Sequence, residues 1–388
     1  MNETNIYFDN NATTKLIPPV IEEVTKIINT SYGNPSSSHT MGDFGRNLIQ
    51  NAKEEIARFL NTKSKKIIFT SGCSESNSTI LQSILVWRET NKTIITSPIE
   101  HSSVLKNCEY LETQGVKIIF TPIEKDGIIK LDDLEDILKM NPNSLLSIGW
   151  VNNETGIIQP IEQISKLAKK YNCLIHSDAA QMVGRGKINL NEIDLDFLSF
   201  TGHKLHAPKG IGIIYAKNPS FIRPLIWGGE QEFDKRAGTE NLIGIGGLYA
   251  AVKERANDFE NAILHLRTLR DKFEEMILQN IPDVFVNGCT GARVPNTTNL
   301  GFKGIDGRAL VAQLDLAGII CSQTSACTSM IPEPSYVLQA MGLNEDEAFS
   351  SIRFSFGIDN DESEINFAVN EIKNKVDRIR NLSFLNRG

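Results

Sequence analysis

The sequence predicts an α/β protein, with a mostly parallel sheet covered by helices on both faces and a smaller α+β unit attached. Three observations predict it. From about residue 43, short β-rich runs alternate with helical patterns, the rhythm of strand–helix–strand units. After Asn241 that rhythm gives way to a long helical stretch and then to short mixed elements. The chain has 388 residues, more than one ordinary core holds. The expected division is a large domain over 16–259 and a small one made of 1–15 with 260–388.

The elements follow in order. Phe44, Leu48, Ile49, Ala52, Ile56 and Phe59 keep helical spacing. Residues 66–70 read as a strand, 75–87 as a helix, 93–96 as a strand and 102–114 as a helix. Residues 116–120, 145–151, 173–176, 197–200 and 211–215 read as further buried strands. A long helical stretch then runs to about Gln279, carrying Leu264, Leu266, Leu269, Phe273 and Ile277. No internal repeat or low-complexity linker interrupts the pattern.

Composition narrows the function classes. With 40% hydrophobic and 22% charged residues the chain reads as soluble and globular. A net charge of −7 argues against a general nucleic-acid surface, though not against a local basic patch. The first residues lack a basic stretch and an apolar stretch, and no apolar run reaches membrane-spanning length. The six cysteines form no C-x-x-C pair, which disfavours both a zinc site and a disulfide framework. A reducing cytoplasm is the expected location.

In open α/β sheets ligands sit beyond the carboxyl ends of the strands, so the residues after each strand carry the functional reading. Ser71 to Asn77 joins a strand to a helix, with Gly72, Cys73 and Ser74 at the turn. It suits a phosphate, or is a plain helix cap. His176 to Gln181 places Asp178 at a strand end, where it can hold a cationic ring nitrogen, close a turn or bind a metal. Thr201-Gly202-His203-Lys204 offers a lysine beside a hydroxyl and an imidazole, a setting for a Schiff base, although most lysines are surface charges. Glu100-His101-Ser102 offers an imidazole for stacking or proton transfer, or a helix capped by Ser102. None of the four decides alone. Together they supply what pyridoxal-5′-phosphate (PLP) needs: a phosphate cradle, a carboxylate for the pyridine nitrogen, a Schiff-base lysine and a stacking imidazole.

Longer motifs then appear in one order along nearly the whole chain. They are Tyr7 to Thr14, Tyr32 to His39, Val151 to Gly156, Ser199 to Lys204, Arg236 to Asn241, Ser325 to Ser329, Glu333 to Leu338 and Ser350 to Ser355. In these the sequence resembles the cysteine desulfurases, within the class-V aminotransferase group of fold-type I PLP enzymes. The resemblance implies a role for each matching residue. Lys204 would carry the cofactor, Asp178 pair with its ring nitrogen, Gln181 bond its phenolic oxygen and His101 stack on it. Cys73, Ser74, Thr201 and His203 would surround the phosphate, and Thr239 would reach the phosphate of the partner subunit, implying a homodimer. Asn153 and Arg353 would bind the carboxylate of the substrate L-cysteine, Arg353 through a bidentate pair. Cys327 would accept the sulfur as a persulfide, leaving alanine, with His101 as acid and base. The Ser/Thr-rich stretch 322–334 reads as a mobile loop, suited to delivering that sulfur to an acceptor or scaffold protein.

Two departures matter. The phosphate turn carries Cys73 and Ser74 where the family usually has Ala and Thr; the hydroxyl is kept, and Cys73 reads as a small packed residue. Cys321 lies six residues before Cys327, and an inert strand cysteine is favoured there over a disulfide with Cys327. The chain ends soon after its last helix, without the longer tail that housekeeping members use to dock an iron–sulfur scaffold. Iron–sulfur assembly, tRNA thiolation and other acceptors therefore stay open. The competing functions are a PLP aminotransferase, a selenocysteine lyase and a silent adaptor for sulfur-carrier proteins. Cys327 separates the first two from a desulfurase, and Lys204, Asp178, His101 and Arg353 together oppose the third.

Overall fold

The computed structural model describes residues 5–87, 91–288, 292–323 and 333–385. Its strands are β1 (Ile6–Tyr7), β2 (Ile67–Thr70), β3 (Thr93–Thr96), β4 (Lys117–Phe120), β5 (Leu145–Ser147), β6 (Leu174–Asp178), β7 (Phe197–Thr201), β8 (Gly212–Ala216), β9 (Val284–Val286), β10 (Thr297–Phe302), β11 (Ile319–Ile320), β12 (Ser322–Gln323) and β13 (Ser351–Ser355). Among the described residues a seven-stranded sheet has the order β2-β8-β7-β6-β5-β3-β4. From β7 to β4 the neighbours are parallel, and β8 alone runs against both of its neighbours. All seven strands expected from the sequence pattern are present.

Strand side chains alternate between faces, and this sheet is apolar on both. Ile67, Phe69, Ile95, Leu146, Ile175, Leu198 and Ile213 enter one core, with the helices Pro18–Thr30, Thr40–Phe59, Ile161–Lys170 and Leu242–Asn257. Their sequence neighbours Ile68, Ile94, Leu145, Phe197 and Ile214 enter another, with Cys73–Gln82 and Ser102–Thr113. A third core gathers Ile6, Phe8, the helix Phe259–Asn280, the antiparallel strands β10 and β13, and Ile365, Ile372 and Val376 of the last helix. The amino-terminal strand β1 pairs with β11, so the start of the chain belongs to this third core.

Five details differ from the sequence expectation. Lys117–Phe120 is an edge strand, with Lys117 and Phe120 exposed, because only β3 pairs with it. The strand β5 ends at Ser147 instead of reaching Val151: the Ile148 and Trp150 N–H groups still reach the His176 and Asp178 carbonyls of β6, but on the β3 side the Gly149 N–H turns to the Glu100 carboxylate at 2.8 Å. The long helical stretch is two helices, Leu242–Asn257 and Phe259–Asn280, broken at Asp258 (φ −118°, ψ 24°). Leu264 is 65% exposed and lies outside the core. Cys321, expected as a strand cysteine, is buried but lies between β11 and β12 and not within a strand.

Candidate active site

The strands β2, β3, β5, β6 and β7 point the same way, so the turns after them open on one edge of the sheet. There they line a cavity of about 1000 Å³. Its wall includes Cys73, Ser74, His101, Asn153, Asp178, Gln181, Thr201, His203, Lys204 and Arg353. Ten of the expected site residues, distant in sequence, thus meet in one place. Thr239 is exposed and does not line the cavity. Cys327 lies outside the described residues, as does any pairing with Cys321. The segment that carries it is nonetheless fixed on both sides. Gln323 and Glu333 line the cavity, and β12 pairs with β13 so that Ser322 stands opposite Arg353. Beyond Glu333, Ser335 donates to the Glu154 carboxylate and Tyr336 donates to the Glu100 carbonyl at 2.6 Å.

The turn after β2 begins the helix Cys73–Gln82 with Gly72 and no side-chain cap. Its first N–H groups therefore face the cavity with the positive end of the helix dipole behind them, a setting that favours an anion. Gly72 itself is extended, and a Cβ there would meet nothing. The close approach is needed at Gly212, where a Cβ would strike the Gly72 backbone at 2.4 Å.

Asn77, one helical turn after Cys73, joins the two central groups. Its amide nitrogen donates to Asp178 Oδ2 (2.7 Å) and to Ser103 Oγ (2.9 Å). With both hydrogens used, Asn77 Oδ1 accepts from the Ser199 hydroxyl. Ser199 Oγ then accepts from His176 Nε2 (3.0 Å), and His176 Nδ1 accepts from Ser147 (2.9 Å). His176 is fully buried, and that burial holds its proton affinity down to about 4, so it stays neutral. On the other branch, His101 Nδ1 accepts from the Ser103 N–H (3.1 Å) and lies 2.8 Å from its hydroxyl. His101 itself, and not Ser102, caps the helix Ser102–Thr113. With Nδ1 accepting, Nε2 carries the hydrogen, and the ring lines the cavity. Burial lowers the proton affinity of His101, Asp178 raises it and Lys204 lowers it; the net direction is down.

Asp178 also accepts from the Ala180 N–H (2.9 Å) and from the Cys73 thiol (3.4 Å). It forms no ion pair among the described residues. Burial first, then Asp178, pushes the Cys73 thiol well up, so Cys73 is a neutral donor here. Asn77→Leu would strip partners from Asp178, Ser103 and Ser199 at similar shape. A loss of about 2–4 kcal/mol in urea unfolding of the ligand-free protein is expected; a change under about 0.5 kcal/mol would remove the hub role.

Lys204 follows β7. Its amine donates to the Asn11 carbonyl and, at 2.9 Å, to the Ala12 carbonyl. Neither acceptor is charged. Burial first, then Arg185 and Arg353, lowers its proton affinity to about 8, against the pull of Asp9 and Asp178. Gln181 donates to the Asn11 carbonyl (3.1 Å) and accepts from Arg185. Thr201 Oγ1 lies 3.2 Å from the Ile211 carbonyl, and His203 Nδ1 lies 3.2 Å from Thr13 Oγ1. Arg353 pairs with Asp9 at 2.7 Å and donates to the Asn153 carbonyl at 3.1 Å, while its Nε is buried without a partner. The fork expected to face a substrate carboxylate is thus engaged within the protein.

Two buried carboxylates complete the wall. Glu100 accepts from Ser97 (2.7 Å) and from Gly149, where a Cβ would meet its Oε2 at 2.9 Å. Burial pushes Glu100 and Glu154 each up to about 7, against the hydrogen bonds they receive. Sequence reasoning gave no role to Asn77, Ser103, Glu100 or Glu154. Only Asn77 carried a signal, its position four residues after Cys73 on one helix face.

Comparison with known proteins agrees with this architecture. The model of the class-V aminotransferase family matches residues 6–367. The chain is 42% identical over 378 residues to a cysteine desulfurase of Nostoc sp. (strain PCC 7120 / SAG 25.82 / UTEX 2576), covering 97% of this chain and 94% of that one. A solved NifS-like protein superposes with a TM-score of 0.89 at 34% identity, over 97% of this chain and 100% of that one. The structure described as SspA in complex with cysteine gives 0.80 at 34% identity, over 91% and 99%. The chain is therefore a member of the class-V aminotransferase family, and within it of the cysteine desulfurases.

Proposed function

We propose that this enzyme removes sulfur from L-cysteine, forming L-alanine and a persulfide on Cys327, with PLP as its cofactor. The observation that carries the reading is one cavity that joins Asp178, Lys204 and an uncapped helix start to both flanks of the Cys327 segment. The residues fit the cofactor. Asp178, a carboxylate without a counter-charge, suits a protonated ring nitrogen. The uncapped N–H groups at Cys73 and Ser74, with Thr201 and His203, suit a phosphate dianion. Lys204, an amine held by neutral carbonyls, suits a Schiff base. Gln181 and His101 stand on the same wall for the ring. When bound, PLP supplies an electron sink that weakens the substrate Cα–H bond.

The chain's own residues do the rest. At a proton affinity near 8, roughly a tenth of Lys204 is free amine at pH 7, against a few in ten thousand for an ordinary lysine. It can therefore take and return the Cα proton. Asn77 keeps Asp178 in place, and through Ser103 it keeps His101 presenting Nε2–H to the reacting sulfur. Asn153 and Arg353 bind the substrate carboxylate, which requires Arg353 to exchange one of its present partners. Arg353→Ala is then expected to raise KM for cysteine roughly 10- to 100-fold, the usual cost of a lost charge-assisted pair. Initial rates against cysteine concentration test this; an unchanged KM would leave Arg353 as a partner of Asp9 and the Asn153 carbonyl only.

Further parts of the reading are an enzyme acting in the cytoplasm as a homodimer, with Thr239 reaching the partner's cofactor. The two domains are 16–259, and 1–15 with 260–388. The sulfur passes on to an acceptor or scaffold protein. No helix among the described residues is long and apolar enough to cross a membrane. The decisive assay incubates purified protein with L-cysteine and a thiol reductant and measures alanine and sulfide. Equal yields of both are expected. 3-Mercaptopyruvate with a transaminated cofactor would favour an aminotransferase, and turnover of selenocysteine alone a lyase for that substrate.

A further inference from the structure

Behind Lys204, away from the large cavity, lies a second and much smaller one of about 20 Å³. A single water needs about 10–15 Å³ by the same kind of measure, so this space holds one or two small particles. Its wall includes Asn10, Arg185, Lys204, His206, Arg255 and Asn296, and no Asp or Glu.

The two arginines are 7% and 8% exposed. Arg185 donates only to neutral oxygens, those of the Gln181 side chain, the Gln181 carbonyl (3.5 Å) and the Asn10 carbonyl (3.2 Å). Arg255 makes no hydrogen bond or ion pair among the described residues. The amides of Asn10 and Asn296 donate elsewhere, to Tyr7 and Ser355, and to Asn11 and Phe356. Asp258 acts on Arg255 and Asp359 on His206, and both are solvent-exposed and off the wall; Asp9 and Asp178 act on Lys204 and are off the wall too. Asp359 is paired outward with Lys15 at 4.0 Å. His206 uses Nδ1–H on the Lys15 carbonyl (2.8 Å), and burial with the two guanidinium charges keeps it neutral.

Two guanidinium charges therefore share a small buried space with no countercharge. A buried charge of that kind is costly unless it is paired. Water can satisfy N–H groups but leaves both charges uncompensated. A tetrahedral oxyanion, with five heavy atoms, is too large. We infer that the cavity between Arg185 and Arg255 is a binding site for a monatomic anion, chloride in ordinary solution. The ion joins Arg185, which holds Gln181 and Asn10, to Arg255 on the helix Leu242–Asn257. Leu266 and Phe356, from the third core, close the same cavity, so the ion also ties the cores together. The site does not depend on the desulfurase reading.

The test uses the full-length protein as purified. Crystals grown with bromide in place of chloride, measured at the bromine absorption edge, should show an anomalous peak between the two guanidinium groups. In solution, chloride titrated against gluconate at constant ionic strength should raise Tm saturably, by on the order of 2–4 °C. Arg255→Met should abolish that dependence, and Arg255→Lys should keep part of it. Water-like density without anomalous signal would overturn the proposal. A bromide peak with no saturable chloride effect would mean an adventitious ion only, and would overturn it too. Should Arg255→Met fail to fold, the two wild-type measurements decide alone.

Discussion

Lys204→Ala is expected to yield neither sulfide nor alanine from cysteine, a loss to the detection limit. The substitution removes two things at once. One is the amine that would hold the cofactor; the other is the proposed base for the Cα proton. His101, on the same cavity wall, has Nδ1 engaged by the Ser103 N–H and its hydrogen on Nε2, so it offers no free base. Arg185 and Arg353, which act most strongly on Lys204, are guanidinium groups that do not give up a proton at working pH. His203 is turned to Thr13, and His176 is sealed in the Ser147–Ser199 chain. Lys204→Arg should be equally inactive, since it keeps the charge but cannot be a base. The cofactor should still be retained in part through its phosphate and Asp178, without the absorption band of the lysine linkage. Exchange of the substrate Cα proton in deuterated water is the clean readout. Exchange at the wild-type rate in Lys204→Ala would overturn the role given to Lys204.

The large sheet was legible because every strand and helix in it is local. Ile67 to Thr70 is a buried β-rich run, and its turn ends in Gly72 before a helical pattern. His101, Asp178 and Lys204 could be read as a group because each stands just past such a strand, where this class of sheet opens. What could not be read is set by contacts between distant residues. Asp9 and Arg353 are separated by 344 positions, and nothing in either segment announces their pair. Glu100 and Glu154 look like surface charges, since a carboxylate reveals its burial only through its neighbours. Asn77 and Ser103 look like polar residues on exposed helix faces until the two helices pack together. The cap was assigned to Ser102 because hydroxyl residues usually cap helices. Here His101 caps instead, and the same bond fixes which of its nitrogens carries the hydrogen. Thr239 does not line the cavity within one chain, so the role proposed for it would need a second subunit.

Cys327→Ser should separate the two halves of the reaction. Serine keeps the size and polarity of cysteine, but its hydroxyl is a far poorer nucleophile at neutral pH than even a small thiolate fraction. On the proposed roles Cα deprotonation rests on Lys204, Asp178 and the cofactor, none of which is altered, so proton exchange from cysteine should continue near the wild-type rate. Sulfur transfer should stop, and alanine should fall to background. The position of the flanks supports this division. Ser322 stands opposite Arg353, the proposed carboxylate partner, and Ser335 is held by Glu154, so the Cys327 segment leaves and rejoins the wall on which the substrate would lie. Among the described cysteines, only Cys73 lines the cavity, and its thiol is held protonated beside Asp178. Cys108, Cys173 and Cys321 are buried, and that burial pushes each thiol up. None of these four is placed to replace Cys327 as a thiolate. Wild-type protein treated with cysteine and no reductant should therefore gain one sulfur on the peptide containing residue 327, read by mass spectrometry. A persulfide found on Cys73 instead, or normal alanine production by Cys327→Ser, would move the acceptor role to another residue.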